Sequence, residues 1–169
     1  MAQAKIKMIP AVHQSDRGFS APAKTSATFI EGAPVKLSSG TLVAGSTASV
    51  GSVTYSKKSS LNNVIGISGG KTTSGVTANI LVHKLQEGAE FIGNLVHLTA
   101  SSAKADTIGD TVYLGKASGD THYGWSLDTP GASSSAYIIG IVTRLIDPAS
   151  TVNGRVQAII TRGGALSAF

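Results

Sequence analysis

Chemistry would begin, if anywhere, at Gly66-Ile67-Ser68-Gly69-Gly70-Lys71-Thr72, which directly follows the apolar pair Val64-Ile65. A glycine-rich turn between a strand and a Lys-Thr pair can cradle a phosphate in its backbone N–H groups, with the lysine supplying charge. That loop needs four residues between its first glycine and the Gly-Lys pair. Here there are three, Ile67, Ser68 and Gly69. The next residues, Thr73-Ser74-Gly75-Val76-Thr77, are turn and strand material, not the helix whose N-terminus completes such a site. Asp147 ends an apolar run and imitates the partner carboxylate, but Thr143 and Arg144 interrupt the run and Pro148 follows. Nucleotide binding is not expected, and Lys71→Ala is expected to leave function untouched.

The remaining polar residues are thinly spread. His13, His83, His97 and His122 form no His-x-His or His-x-x-x-His pair of the kind that metal sites use. The nine carboxylates show no acid–base pairing, and no Gly-x-Ser-x-Gly elbow presents a serine nucleophile. With no cysteine there is no disulfide, thiolate metal site or thiol catalysis. The reading is of a non-enzyme with no catalytic, metal or cofactor-binding residues and no cofactor. A pI near 9.6 invites a test for nucleic acid. Binders of single strands combine a basic groove with stacking aromatics. Aromatics are only 5% of this chain, and Lys57-Lys58 is its sole adjacent basic pair. No nucleic-acid partner is expected.

The elements that would position these residues are strands. Charged residues make up 14%, against roughly 25% in an average soluble chain. Ser, Thr, Gly and Asn supply the polar surface instead, and these residues weaken helix interiors. Runs rich in Val, Ile, Leu and Thr predict strands over 33–37, 41–44, 64–67, 78–84, 95–99, 111–114, 137–145 and 155–161. A short helical turn is expected around 86–90, and long loops or irregular hairpins over 46–60 and 115–135. No stretch approaches the roughly 18 apolar residues of a membrane span, so no membrane partner is expected. Lys5 and Lys7 are not followed by an apolar run, so no secretory signal is expected either, and synthesis is placed in a cytoplasm.

Residues 1–28 read as an extended N-terminal arm. Pro10, Pro22 and Gly18 break regular structure, and Lys5, Lys7, Arg17 and Lys24 against Asp16 give the segment +3 of the net +5. A basic arm on a nearly neutral body suits docking to an acidic surface. Lys5, Ile6, Lys7, Met8, Ile9 and Arg17 are the expected contact residues. On this view the arm moves freely until it docks, and deleting residues 2–24 leaves a folded body.

The body, 29–169, carries an internal repeat, with halves of about 29–98 and 99–169. Aligning Gly32 with Gly109 puts Val35 on Val112 and Leu37 on Leu114. Further along, Ile65-Gly66-Ile67 matches Ile139-Gly140-Ile141, and Ile80-Leu81-Val82-His83-Lys84 matches Ala158-Ile159-Ile160-Thr161-Arg162. One β unit used twice around a shared core is the physical reading. Gly66 and Gly140 fall within strands, where glycine marks a bulge, a bend or close backbone approach. The expected fold is all-β and built from two similar halves, with bends of the kind that curl a small sheet into a barrel.

These motifs resemble the small cement and head-decoration proteins of tailed bacteriophages. That family's pattern is a Gly-x-x-Val-x-Leu turn and strand (Gly32 to Leu37), an Ile-Gly-Ile strand (Ile65 to Ile67) and a Phe-x-Gly-Asn-Leu stretch (Phe91 to Leu95). The resemblance covers roughly residues 29–145. It implies a compact small β-barrel or tulip-like sandwich that binds the major capsid protein on the outer surface of the virion, at capsomer junctions, often as a homotrimer. It brings no catalytic residues with it. The competing expectation is a carbohydrate- or receptor-binding module of a phage tail or fibre, with His122, Tyr123 and Trp125 in a turn-rich loop as its contact residues.

Overall fold

The computed structural model describes residues 6–11, 18–57, 66–96, 107–131 and 137–162. Thirteen strands form two sheets, and no α-helix occurs among the described residues. The strands are β1 (Ile9–Pro10), β2 (Gly18–Pro22), β3 (Pro34–Ser38), β4 (Thr41–Ala44), β5 (Thr47–Val50), β6 (Val53–Ser56) and β7 (Gly66–Ser68). They continue as β8 (Asn79–Lys84), β9 (Glu90–Asn94), β10 (Thr111–Ala117), β11 (Gly124–Ser126), β12 (Ile139–Leu145) and β13 (Arg155–Arg162). The smaller sheet runs β2-β8-β7-β3-β4. The larger runs β1-β9-β13-β12-β10-β6-β5, with β11 also paired to β10. The fold is therefore all-β, with two sheets, one of them curled into an open half-barrel.

Most of the expected strands are present, and the differences have local causes. The helical turn expected at 86–90 is a plain turn, with Gly88 at φ +81°, and its end belongs to β9. A strand at Glu90–Asn94 replaces the one expected at 95–99, because alternation places Phe91 and Leu95 inward, both fully buried. Residues 97–99 of that expectation lie outside the described residues. The 46–60 region contains the hairpin β5–β6, turned at Gly51-Ser52 with Gly51 at φ +60°. Ser39 and Gly40, both at positive φ, turn β3 into β4 in the same economical way.

The N-terminal segment departs most from expectation. It is not a detached arm in its described parts. β1 pairs with β9, β2 pairs with β8, and Met8 is 2% exposed inside the main core. The reason is burial: the long apolar side chain of Met8 fills the space beside Gly93 and Trp125.

Three apolar clusters hold the sheets. The largest gathers Met8, Leu85, Phe91, Leu95, Val112, Leu114, Trp125, Ile138, Val156 and Ile160 on the larger sheet, and it also takes in Ile67 from the smaller one. The second lines the smaller sheet with Val35, Leu42, Ile80, Val82 and several alanines. The third packs Tyr55, Tyr113 and Tyr137 edge to face, with ring centres 6.3 and 5.7 Å from Tyr55.

Candidate functional site

The glycine loop is closed by its own hydrogen bonds. Strand β7 runs antiparallel to both its neighbours, β3 and β8, and residues 69–72 turn without entering a helix. Gly69 N–H donates to Leu81 O at 2.7 Å, Gly70 N–H to Ser68 Oγ at 3.2 Å and Thr72 N–H to Phe29 O at 2.9 Å. Ser68 Oγ in turn donates to Gly70 O. Three donors a phosphate would need are thus already engaged, and Lys71 is exposed at the turn. Asp147 is likewise occupied: Arg155 grips it through Nε at 2.9 Å, the second guanidinium nitrogen at 2.7 Å and its backbone N–H at 2.7 Å. Those hydrogen bonds hold the Asp147 carboxyl below its ordinary pKa and lift that of Arg155. This pair pins the turn between β12 and β13.

The expected contact residues divide sharply. Ile6 donates its N–H to Asn94 Oδ1 at 2.8 Å, and Asn94 passes the link on to Asn153 O. Lys7 reaches Glu31 in an exposed ion pair, a type that adds little stability. Met8 is in the core, and Ile9, half-buried, lies opposite Ile92. Met8 therefore offers no surface to a capsid in this fold, a correction to its place among the contact residues. Lys5 and Arg17 lie outside the described residues. His83 is half-buried beside this corner, and burial lowers its pKa while the Glu31 charge works in the opposite sense.

The loop expected to hold a glycan platform is built differently. Trp125 is fully buried, with Nε1 donating to Phe91 O at 3.3 Å, so its face is unavailable for stacking. Tyr123 remains at the surface of a cleft of about 300 Å³ lined also by Phe29, Pro34, Ala44, Lys116 and Thr121. The Lys116 ammonium stands 5.9 Å from the Tyr123 ring centre, and burial raises the Tyr123 phenol pKa. A second cleft, about 390 Å³, opens beside β2 and is lined by Phe19, Ser20, Ala21, Pro22, Leu37, Gly40 and Lys84. Sequence reasoning missed it, because β2 lay within what read as an arm; the alternation Phe19, Ala21, Ala23 was its only signal.

Among the described residues no group of three or more His, Cys, Asp or Glu converges on a point that could hold a metal ion. No helix of the described residues is long and apolar enough to cross a membrane. Comparison with known protein families, with curated proteins and with solved structures finds no match to this chain.

Proposed function

We propose that this chain is a non-enzymatic cement protein that binds the major capsid protein on the outer surface of a tailed-phage head, at capsomer junctions, and does so as a homotrimer. The observation that carries the reading is where the residues of the shared pattern fall. Gly32 turns at φ +81° against Lys7 and Met8, Gly66 lies against the β8 backbone, and Gly93 lies against Met8 and Trp125. None of the three lines either cleft. They serve close packing, which is what a rigid clamp needs, and many copies on one shell add avidity to each weak contact.

The finer fold belongs to the same proposal: the described parts of residues 18–84 and 90–162 are two versions of one small five-stranded barrel. Val35 opposite Gly66 answers to Val112 opposite Gly140, and Leu37 opposite Leu42 answers to Leu114 opposite Trp125. Phe19 opposite Val82 answers to Phe91 opposite Ala158. The turns agree too: Gly32 N–H donates to Ser68 O as Gly109 N–H donates to Val142 O. Single parallel bridges, Ala23 to Leu42 and Leu95 to Trp125, would close the two barrels at the same place. On this alignment Val82 answers to Ala158, two residues from the match drawn by sequence. The interiors compensate in volume, since Trp125 stands for Leu42 while Ala158 stands for Val82 and Gly93 for Ala21. The hairpin β5–β6 and strand β1 are additions to the repeated unit.

Cryo-electron microscopy of phage heads made with and without this protein tests the function. Extra density at capsomer junctions on the outer surface, and heads that survive a higher temperature, are expected. Identical heads would sink the reading. Tyr123 in its cleft favours one second reading, a glycan-binding module. Binding on a glycan array that is lost in Tyr123→Ala, without affinity for capsids, would establish that reading instead.

A further inference from the structure

Strand β9 carries an extra strand on its outer edge. Ile9 lies opposite Ile92, Pro10 lies opposite Phe91, and Ala11 N–H donates to Glu90 O at 2.9 Å. Met8 precedes the paired residues, and its Cε lies where a Cβ on Gly93 would meet it at 2.9 Å, next to Trp125. A short extended segment thus closes the gap by backbone pairing and one long apolar side chain. Strand β2 occupies the matching place in the smaller sheet, through the registers given above: Phe19 matches Phe91, Ser20 matches Ile92 and Ala21 matches Gly93. Among the described residues no strand lies against the outer edge of β2 next to Phe19 and Ser20. The 390 Å³ cleft opens there, with Ala21, Leu37 and Phe19 on its walls.

The edge is chemically ready for pairing. Ala23 N–H donates to Ala78 O on the β8 side, and Lys24 N–H donates to Leu42 O on the other side. Antiparallel ladders alternate, so Phe19 and Ala21 bond towards β8 while the Ser20 N–H and C=O point outward. Ser20 is exposed, as an edge residue awaiting a strand would be.

We propose that the β2 edge and its cleft form a docking site for an extended apolar segment of a partner protein. That segment adds a strand opposite Ser20 and seats a methionine-sized side chain beside Ala21, as residues 8–10 do on β9. Strand addition of this kind takes affinity from the backbone and selectivity from alternate side chains. The inference rests on the equivalence of the two units proposed above and not on the capsid reading. Peptide binding to the isolated chain and particle binding by it fail separately.

The test uses the full-length chain, labelled with ¹⁵N, and an acetylated, amidated peptide with the sequence of residues 6–11, Ile-Lys-Met-Ile-Pro-Ala. Saturable amide shifts at residues 19–21, 37–40 and 84 are expected at millimolar peptide or below. A peptide with Asp in place of Met is expected to bind about tenfold more weakly or worse, for want of the buried side chain. Ser20→Pro removes the outward N–H while keeping the bonds to β8, and is expected to abolish the shifts. Ala21→Met fills the cleft from within and is expected to do the same without lowering the melting temperature. No shifts with either peptide, or shifts at Ile92 and Gly93 instead, would overturn the proposal. So would concentration-dependent self-association lost in Ser20→Pro, which would make a second copy of this chain the occupant.

Discussion

At the level of single residues, Gly66 and Gly140, paired by the sequence match, are expected to respond differently to the same change. A Cβ on Gly66 would run into the His83 carbonyl oxygen and Val82 Cγ1, whereas on Gly140 the nearest atom is Ile159 O at 3.0 Å. Neighbouring backbone cannot swing aside as a side chain can. Gly66→Ala is expected to cost about 3 kcal/mol and Gly140→Ala about 1 kcal/mol, read as urea midpoints; equal losses would contradict this contact geometry. Asp147 gives a second residue-scale test. Its folded pKa lies below the ordinary 3.8 because Arg155 donates to it. The pair's contribution is therefore complete above the unfolded pKa and is lost as pH falls through the folded one. Asp147→Asn is expected to lose about 1–3 kcal/mol at pH 7. The gap between it and the parent should close when melting is followed from pH 5 down to pH 2. His83 has the opposite consequence for its charge state. Burial lowers its folded pKa below 6.5, so the unfolded chain binds the proton more readily and stability falls as pH drops below about 6.5. In His83→Gln that portion of the acid sensitivity should disappear.

Among the elements, β1 and β2 decide most. The sequence reading of residues 1–28 rested on Pro10, Pro22 and Gly18, which do exclude helix but are compatible with short edge strands. Met8 sits in the largest core cluster, and β2 is the strand that completes the smaller sheet. Deleting residues 2–24 is accordingly expected to prevent folding, the reverse of the outcome a detached arm would give. Circular dichroism and a melting curve of the truncated chain decide between them. The milder Met8→Ala is expected to cost about 2–5 kcal/mol, as buried methionines generally do. The hairpin β5–β6 was legible in principle: Gly51-Ser52 separates Thr47-Ala48-Ser49-Val50 from Val53-Thr54-Tyr55-Ser56, each alternating in character. The polarity of β5, which is mostly exposed and offers only Ala48 to the tyrosine cluster, is why 46–60 read as a long loop or an irregular hairpin and not as two regular strands.

For the whole molecule the telling residue is Ile67. It sits in a strand of the smaller sheet and is fully buried within the core of the larger one, while Ile141, its counterpart in the sequence match, is 36% exposed. The sheets therefore share a core, and heat is expected to unfold them together. A single calorimetric transition whose measured and van't Hoff enthalpies agree is the expected result. Ile67→Ala should lower that transition by about 2–5 kcal/mol without splitting it. Two separate transitions would mean that the sheets are independent.

The strand content and the one-residue shortfall of the glycine loop could be read from the sequence alone. Each depends on short-range facts: side-chain type, alternation, and the number of residues between Gly66 and Lys71. What only the tertiary structure decided was which neighbour each strand takes and which face each side chain meets. Nothing near Met8 in sequence shows that Gly93 and Trp125 leave a space for it 85 and 117 residues further on. Trp125 looks like a loop residue until Phe91, Leu114 and Val156 close around it. Burial is a property of the assembled surface, and the energy that drew Met8 inward came from contacts that exist only once β9 and β11 of the larger sheet have come together.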